Sequence, residues 1–395
     1  MKTITQKFII IFLFTINGLF AQTFVQAYAD IANQVSQTNV TSNLTDFEGF
    51  GMKRRGTSAL TNTLNWLNTK YGSYGYTSTQ IVEDPYTYSG SPVTVKNLVV
   101  TKVGTLYPNI FVIVCAHYDS INGSGTNDNG SGTTVLLEMA RLLQNIPTEY
   151  SIKFIHFSGE EDGLYGSQHF VSDVVNSTVP KMNIRLVFNI DEVGGIAGMT
   201  NNNIVCERDM GNPATNNALS NTKTNELITC VGLYSSLSTT LAAAYSSDYM
   251  PFEENNEVIT GFFEKNETTH AHTANDLLVN MDPVYVYNVT KAGVGALQHF
   301  AIASTALSNE DFNSDFQVSF FPNPTKDFIN INLGTLTEKE YQFSLIDING
   351  KVVLEKTITN PNQLEKINIT SLIKGLYLAI LNAGEKKISK KIVIE

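Results

Sequence analysis

Histidine and carboxylate side chains recur in this sequence, most of them directly after β-rich runs. They are His117, Asp119, Asp128, Glu160, Glu161, Asp191 and His272. Imidazole and carboxylate groups without a thiolate suit Zn²⁺, with Co²⁺ or Mn²⁺ as alternatives. The set is large enough for two ions, and a two-metal site can generate hydroxide near neutral pH and polarise a carbonyl. These residue types therefore predict metal-assisted chemistry.

The elements that must position these side chains alternate between strand and helix. Strands are predicted at 96–103, 109–116, 151–157 and 184–190, and helices at 132–144, 164–174 and 283–306. This alternation predicts an α/β domain with a mixed, mainly parallel sheet and helices on both faces. In open sheets of this class, ligands bind outside the carboxyl ends of the strands. We therefore expect the candidate side chains to meet at one rim.

Other function classes find little support. The sequence contains no His-Glu-x-x-His, no Gly-x-Ser-x-Gly, no P-loop and no Gly-x-Gly-x-x-Gly. Its net charge is −11 and it has no run of lysine and arginine, so the electrostatic signature of a nucleic-acid binder is missing. An isolated acidic pair or His-x-Asp usually belongs to a solvated turn or a core. The prediction rests on several such motifs falling at strand ends.

The order of these motifs resembles the dizinc aminopeptidase family of the bacterial leucyl aminopeptidase and aminopeptidase Y type, the twenty-eighth metallopeptidase family. The matching segments are His-Tyr-Asp-Ser from 117, Asn-Asp-Asn-Gly-Ser-Gly from 127, Gly-Glu-Glu-Asp-Gly-Leu-Tyr-Gly-Ser from 159, Asn-Ile-Asp from 189 and His-Thr-x-x-Asp from 272. The resemblance spans about residues 50 to 303. It implies a zinc exopeptidase that removes N-terminal residues from peptides or proteins.

The resemblance also implies how two zinc ions would be held in each chain. His117 and Asp191 would bind one ion, and Glu161 and His272 would bind the other. Asp128 would bridge both. The family pattern also leads us to expect a cis peptide bond directly after the bridging aspartate, where a non-proline cis bond is otherwise rare.

Two further carboxylates complete the implied catalytic set. Glu160 would be the general base, which takes a proton from the bridging water and passes it to the leaving amine. Asp119 would orient the ring of His117. By the same reasoning Asp276 is expected to orient His272. His270 competes with His272 as the ligand, and the family spacing favours His272.

The first 21 residues fit a secretory signal peptide. Lys2 and Lys7 precede an apolar run at 8–20, and Ala21 ends the segment. An N-terminal membrane anchor is the alternative. No apolar run reaches the roughly 18 residues needed to span a bilayer, so no transmembrane segment is expected after cleavage. The predicted organisation is a signal peptide at 1–21, a catalytic domain at 22–303, a linker at 304–317 and a tail domain at 318–395.

Aromatic and cysteine residues of the catalytic domain carry further predictions. Tyr249 and Phe262 are predicted to line a substrate pocket, with core packing as the alternative. Cys206 and Cys230 are candidates for a disulfide, because export places the chain in an oxidising compartment. Cys115 lies in an apolar run and is predicted to be a buried free thiol.

The tail differs from the catalytic domain in its pattern of apolar and polar residues. Short alternating strands are predicted at 318–321, 328–333, 341–346, 352–357, 365–369, 375–381 and 387–394. Such a series, separated by turn residues, predicts a small β-sandwich. The segments 320–324, 347–351 and 369–377 resemble the C-terminal sorting domain of the bacterial type IX secretion system. The resemblance implies that this machinery exports the chain to the cell surface or the medium; a carbohydrate- or protein-binding sandwich is the alternative.

Other activities of the same fold stay open at this point. One is a glutaminyl cyclase-like transferase with a single zinc ion, which metal stoichiometry would distinguish from a two-zinc peptidase. Carboxypeptidase and dipeptidase activities are others. A non-catalytic binding module is a further alternative, but such modules lose metal ligands, whereas this sequence keeps all five and the base.

Overall fold

The structure is a computed structural model that describes residues 22–88, 91–305, 318–333, 338–347, 351–359, 362, 364–384 and 386–395. The chain divides into two compact units, residues 1–305 and 306–395. The predicted signal peptide and most of the predicted linker lie outside the described residues. Within the described ranges, no helix has both the length and the apolar character needed to cross a membrane.

An eight-stranded mixed sheet forms the centre of the first unit. Its strands are β1 (Ile81–Thr87), β2 (Thr94–Lys102), β3 (Tyr107–His117), β4 (Tyr150–Phe157), β5 (Asn183–Ile190), β6 (Asn203–Arg208), β7 (Ser238–Ala243) and β8 (Ile259–Glu264). Their order across the sheet is β1-β2-β4-β3-β5-β8-β6-β7. Because β3 is parallel to β4 and β5, and β5 is parallel to β8, these four strands end at the same edge.

Helices cover the sheet. They are α1 (Gln26–Ala32), α2 (Gln37–Gly49), α3 (Ser58–Ser73), α4 (Gly130–Leu143), α5 (Tyr165–His169), α6 (Asn217–Tyr234), α7 (Met250–Glu254) and α8 (Pro283–Phe300). The helix predicted at 164–174 is α5 continued by a π-helical segment, Phe170–Val175. The helix predicted at 283–306 ends earlier, at Phe300.

The central strands are buried on both faces. In β3, Val112 and Val114 pack into one apolar cluster, whereas Ile113 and Cys115 pack into another. Successive side chains of a strand point to opposite faces, so a strand with a helix layer on each side reads as a continuous apolar run. The predicted α/β architecture with helices on both faces is therefore confirmed.

The cysteines do not form the predicted disulfide. Cys206 on β6 and Cys230 on α6 are both free thiols, buried in the apolar core of the first unit. Burial raises the pKa of each thiol, which keeps it protonated and weakly reactive. They pack as small apolar side chains between strand and helix. Cys115 is a buried free thiol, as predicted.

The second unit is all β. Three antiparallel strands form one sheet: β9 (Ser319–Phe321), β10 (Phe328–Asn332) and β13 (Leu364–Asn368). Four form the other: β11 (Glu340–Asp347), β12 (Val352–Thr359), β14 (Gly375–Ala383) and β15 (Lys386–Ile394). A single apolar cluster draws on both sheets, so the predicted sandwich is confirmed.

Candidate metal centre

Strand pairing brings the first histidine to its carboxylates. His117 is the last residue of β3, and Asp191 directly follows the adjacent parallel strand β5. His117 Nε2 lies 3.4 Å from Asp191 Oδ1 and 3.1 Å from Asp128 Oδ1. Since the His117 side chain is only 1% exposed, this half of the cluster is enclosed.

The second histidine reaches the same cluster from the surface. His272 Nε2 lies 3.1 Å from Asp128 Oδ2 and 3.0 Å from Glu161 Oε2. Its side chain is 61% exposed, and its φ of 57° lies in the left-handed region. The two oxygens of Asp128 thus face the two histidine rings, one on the enclosed side and one on the open side.

The segment that carries Asp128 is tied to the end of β5 and the start of α4. The peptide bond between Asp128 and Asn129 is cis, as predicted. The Asn129 side chain accepts a hydrogen bond from Gly132 N at 2.8 Å and donates one to Ile190 O at 2.9 Å. A Cβ at Gly132 would collide with the same carbonyl oxygen, so a glycine is required there.

Asp276 has a different role from the one predicted. Its Oδ1 accepts a hydrogen bond from Asn127 N at 2.7 Å, and its Oδ2 accepts one from Asp128 N at 3.0 Å. Both carboxylate oxygens therefore serve the main chain around Asp128, and the prediction that Asp276 orients His272 is wrong. Through these contacts, the loop that carries His272 and Asp276 holds Asp128, the predicted bridging residue, in place.

Asp119 lies between the first histidine and the paired glutamates. Its Oδ1 is 3.6 Å from His117 Nδ1 and also accepts a hydrogen bond from Glu160 N at 3.3 Å. Its Oδ2 accepts one from Glu161 N at 3.3 Å. The main chain after β4 is therefore fixed at the position from which Glu160 and Glu161 project into the cluster.

Candidate donor atoms fall into two groups, and Glu160, the predicted base, belongs to one of them. One group is His117, Glu160 and Asp191, the other is Asp128, Glu161 and His272, and within each the atoms lie within 4.8 Å of one another. Each group combines one imidazole with carboxylates, a donor set suited to zinc.

The electrostatics of the cluster fit cations as well. Burial, followed by the charge of Asp128, raises the pKa of Glu161 to about 8. Asp191 Oδ2 accepts a 2.5 Å hydrogen bond from Ser247, but its buried Oδ1 has no hydrogen-bond partner among the described residues. A concentration of buried carboxylates with an unpartnered oxygen is stable when divalent cations offset the charge.

The other sequence candidates lie outside this cluster. The Tyr249 side chain is 1% exposed, and its hydroxyl donates to Glu207 Oε2 at 2.8 Å. Phe262 is fully buried against Phe188. Both pack in the core, in agreement with the alternative interpretation, and their role in substrate binding stays a prediction. His272, not His270, is the histidine that joins the metal-ligand groups.

Two buried charged residues that support the cluster were not identified from the sequence. Glu264, at the end of β8, accepts hydrogen bonds from Asn127 Nδ2 and Gly195 N. Its position at the end of a strand could have identified Glu264 as a further candidate. Lys53 donates to Ser124 O at 2.6 Å, and burial lowers its pKa to about 7. Nothing in the local sequence marks Lys53, because its contact joins segments far apart in the chain.

Comparison with known proteins gives two matches to protein families. Residues 97–293 match the family model described as Peptidase family M28. Residues 319–395 match the one described as Secretion system C-terminal sorting domain. These ranges agree with the two regions inferred from the motifs, and they lie in the two separate compact units.

Individual relatives match part of this chain and part of their own length. Aminopeptidase YwaD of Bacillus subtilis is 48% identical over 89 residues, which are 22% of this chain and 19% of that protein. A probable zinc metalloprotease of Pyrenophora tritici-repentis is 28% identical over 223 residues, 48% of this chain and 49% of that protein. In these two cases the chain spans about a fifth and about half of the relative's length.

A solved structure shares the fold. The LapA aminopeptidase of Legionella pneumophila aligns with a TM-score of 0.61 and 19% identity, over 76% of this chain and 80% of that chain. The sorting domain indicates export to the cell surface or the medium. The chain therefore contains a peptidase family M28 domain, which is followed by a secretion-system C-terminal sorting domain.

Proposed function

We propose that the chain is a secreted zinc exopeptidase that hydrolyses the N-terminal peptide bond of peptides or proteins. The observation that carries the proposal is Asp128, whose two oxygens each lie 3.1 Å from a histidine Nε2 within a family M28 domain. His117 and Asp191 would hold one zinc ion, Glu161 and His272 the other, with Asp128 between them. Cobalt or manganese would suit the same donors.

The two ions, when bound, would lower the pKa of a water molecule and polarise the scissile carbonyl. Glu160 would accept the proton of the attacking water and deliver it to the leaving amine. Two observations support this role. The Asp119 carboxylate fixes the main chain of Glu160. Burial raises the pKa of Glu160 well above its usual value, and Asp191 adds to the effect against the opposing charge of His117.

The acidic surroundings of the cluster favour a substrate with a free amino group. Glu192 follows Asp191 and has a φ of 43°. Burial raises the pKa of its carboxyl to about 10, with Asp128 and Asp191 as further causes. A cationic substrate terminus would relieve this repulsion between carboxylates, whereas a second carboxylate would add to it. This supports amino- over carboxypeptidase activity.

The direct test is an assay of aminoacyl chromogenic substrates beside N-blocked and C-terminal substrates. We expect hydrolysis only where the terminal amine is free, loss of activity with a chelator, and recovery with zinc. Elemental analysis should give two zinc ions per chain. Cleavage of the N-blocked substrates would contradict the proposal, and one zinc ion per chain with cyclisation of N-terminal glutamine would favour the transferase.

A further inference from the structure

A second group of oxygen donors lies around Gly211, in the loop after β6. Gly211 N donates to Asp209 Oδ1 at 2.8 Å, and Gly211 O accepts from Asn217 Nδ2 at 3.3 Å. A Cβ at Gly211 would collide with Glu253 Oε1 and lie 3.6 Å from Asp209 Oδ1. Three side chains from two segments therefore converge here. We call Asp209, Gly211, Asn217 and Glu253 the Gly211 cluster.

The Gly211 cluster is separate from the metal centre. β6 is antiparallel to β8, so Arg208, the last residue of β6, pairs with Thr260 near the start of β8. The metal centre lies beyond the carboxyl ends of β3 and β5, which are parallel to β8. The Gly211 cluster is thus at the opposite edge of the sheet, and no residue of the proposed catalytic set belongs to it.

Oxygen atoms in and beside this cluster are buried without hydrogen-bond donors. Asp209 is 0% exposed and Glu253 is 2% exposed. Among the described residues, no donor reaches Asp209 Oδ2, Asn216 Oδ1, Asn217 Oδ1 or Glu253 Oε2. These are four of the twelve buried side-chain atoms in that condition. A buried polar atom without a partner is costly, so the unpartnered oxygens of Asp209, Asn217 and Glu253 in this cluster point to a missing ligand.

The charges acting on Glu253 are also unbalanced. Burial is the largest of the causes that together raise the pKa of its carboxyl to about 7; the next is the Asp209 carboxyl, which would share a proton with it, and the charge of Glu254 follows. Two buried carboxylates that face each other require a shared proton or a cation between them. The carboxamide oxygens of Asn216 and Asn217, which carry no charge, also lack donors, and a single shared proton would leave them unsatisfied.

We propose that the Gly211 cluster binds one calcium ion. The donors are carboxylate, carboxamide and main-chain oxygens, the set that Ca²⁺ prefers, and the two carboxylates match its charge. Zinc would require nitrogen or sulfur donors, which the cluster does not offer. Magnesium usually keeps several water molecules, for which a buried site has little room. The ion would join the loop after β6 to helix α7.

The test uses the mature full-length chain, reconstituted with zinc so that the metal centre is occupied. Calcium binding is measured by equilibrium dialysis, and the Tm is measured with and without calcium chloride. We expect one bound calcium ion per chain and a rise in Tm of several degrees, since a ligand that binds only the folded state stabilises it. Glu253→Gln should abolish both effects.

Glu254→Gln is the matched control, because Glu254 neighbours Glu253 on α7 but is exposed; it should bind calcium and respond like the parent chain. If Glu253→Gln fails to fold, Asp209→Asn takes its place. Binding of no calcium by the parent chain at millimolar concentration would overturn the proposal and leave a shared proton as the explanation. Undiminished calcium binding by a folded Glu253→Gln or Asp209→Asn would overturn it as well.

Discussion

The first unit (residues 1–305), called the peptidase unit below, and the second (residues 306–395), called the sorting unit, bury very different kinds of side chain. Among the described residues of the sorting unit, Thr325 is the only polar side chain that is buried, whereas the peptidase unit buries several histidines, aspartates and glutamates at strand ends. Alternation of apolar and polar residues suffices to build the sandwich. The peptidase fold must also hold like charges together, which it does with main-chain amides and, as proposed, with cations. The interior of the peptidase unit is therefore shaped by its function as well as by apolar packing, whereas apolar packing accounts for the interior of the sorting unit.

The largest expected effect is a loss of catalysis in the peptidase unit, on substitution of Glu160. We expect Glu160→Gln to lower kcat about 10²- to 10⁴-fold, because the amide cannot accept the proton of water. Zinc content should stay at the parent value, since the proposed ligands are unchanged. Kinetics with an aminoacyl substrate and elemental analysis check both points. Full activity of this variant would refute the assignment of the base.

The next effect tests the contact between the His272 loop and Asp128. In Asp276→Asn, the side-chain NH2 group would face a main-chain N–H, and one of the two hydrogen bonds from Asn127 N and Asp128 N would be lost. The segment around Asp128 should therefore be held less firmly. We expect zinc affinity to fall about 10- to 100-fold, with activity recovered by excess zinc. The exposed neighbour Asn275, changed to Ala, is the control. Equal zinc titrations for Asp276→Asn and the parent chain would contradict this role.

A smaller effect should appear in the pH dependence of stability. All six histidines precede residue 300, so histidine titration acts on the peptidase unit alone. His156 is fully buried beside the Tyr71 hydroxyl, and burial lowers its pKa to about 3. Between pH 6.5 and 3 the unfolded state therefore binds a proton that the native state does not, and stability falls as pH falls, by up to about 1.4 kcal/mol per pH unit.

Urea unfolding at pH 7 and pH 5 measures this contribution. The parent chain should lose up to about 2 kcal/mol more than His156→Gln over that interval. Effects of zinc loss act on both chains and cancel in the difference. Equal losses in the two chains would show that His156 is not held neutral in the folded state.

The smallest effect on catalysis is expected from removal of the sorting unit. A chain that ends at residue 317 should keep its specific activity, because every proposed catalytic residue lies in the peptidase unit. Its export should fail, which immunodetection in cells and medium would show. A truncated chain that still reaches the medium would contradict the role of the tail in sorting.

Much of this architecture could be predicted from local sequence. The apolar runs of β3, β4 and β5 end directly before His117, Ser158 and Asp191. Strand periodicity with the carboxyl-end rule places these residues and their successors at one edge of the sheet. The tail strands were predictable because alternation and turn residues are local signals. The ordered motifs supplied the candidate ligands, and the structure brings those ligands together.

Long-range contacts account for the features that could not be predicted. The Asp276 carboxylate was expected at a histidine, yet it binds main-chain amides almost 150 positions away. Cys206 and Cys230 were expected to be joined, but burial leaves them as packed thiols. Nothing in the sequence around Lys53 predicted its buried contact with Ser124 O. In each case the partner is decided by how distant segments approach, which residue spacing alone does not encode.

The hydrogen bonds of Asp276 join two segments that are far apart in the chain, so that neither can be replaced without the other. Its carboxylate holds the loop that carries Asp128, and its carbonyl accepts hydrogen bonds from the Ser124 hydroxyl and from Thr126 N. A chimaera that takes residues 268–278 from a relative but retains its own residues 120–132 would combine donors and acceptors of these hydrogen bonds from two different proteins. We expect such a chimaera to keep the geometry around Asp128 only when the two segments are exchanged together.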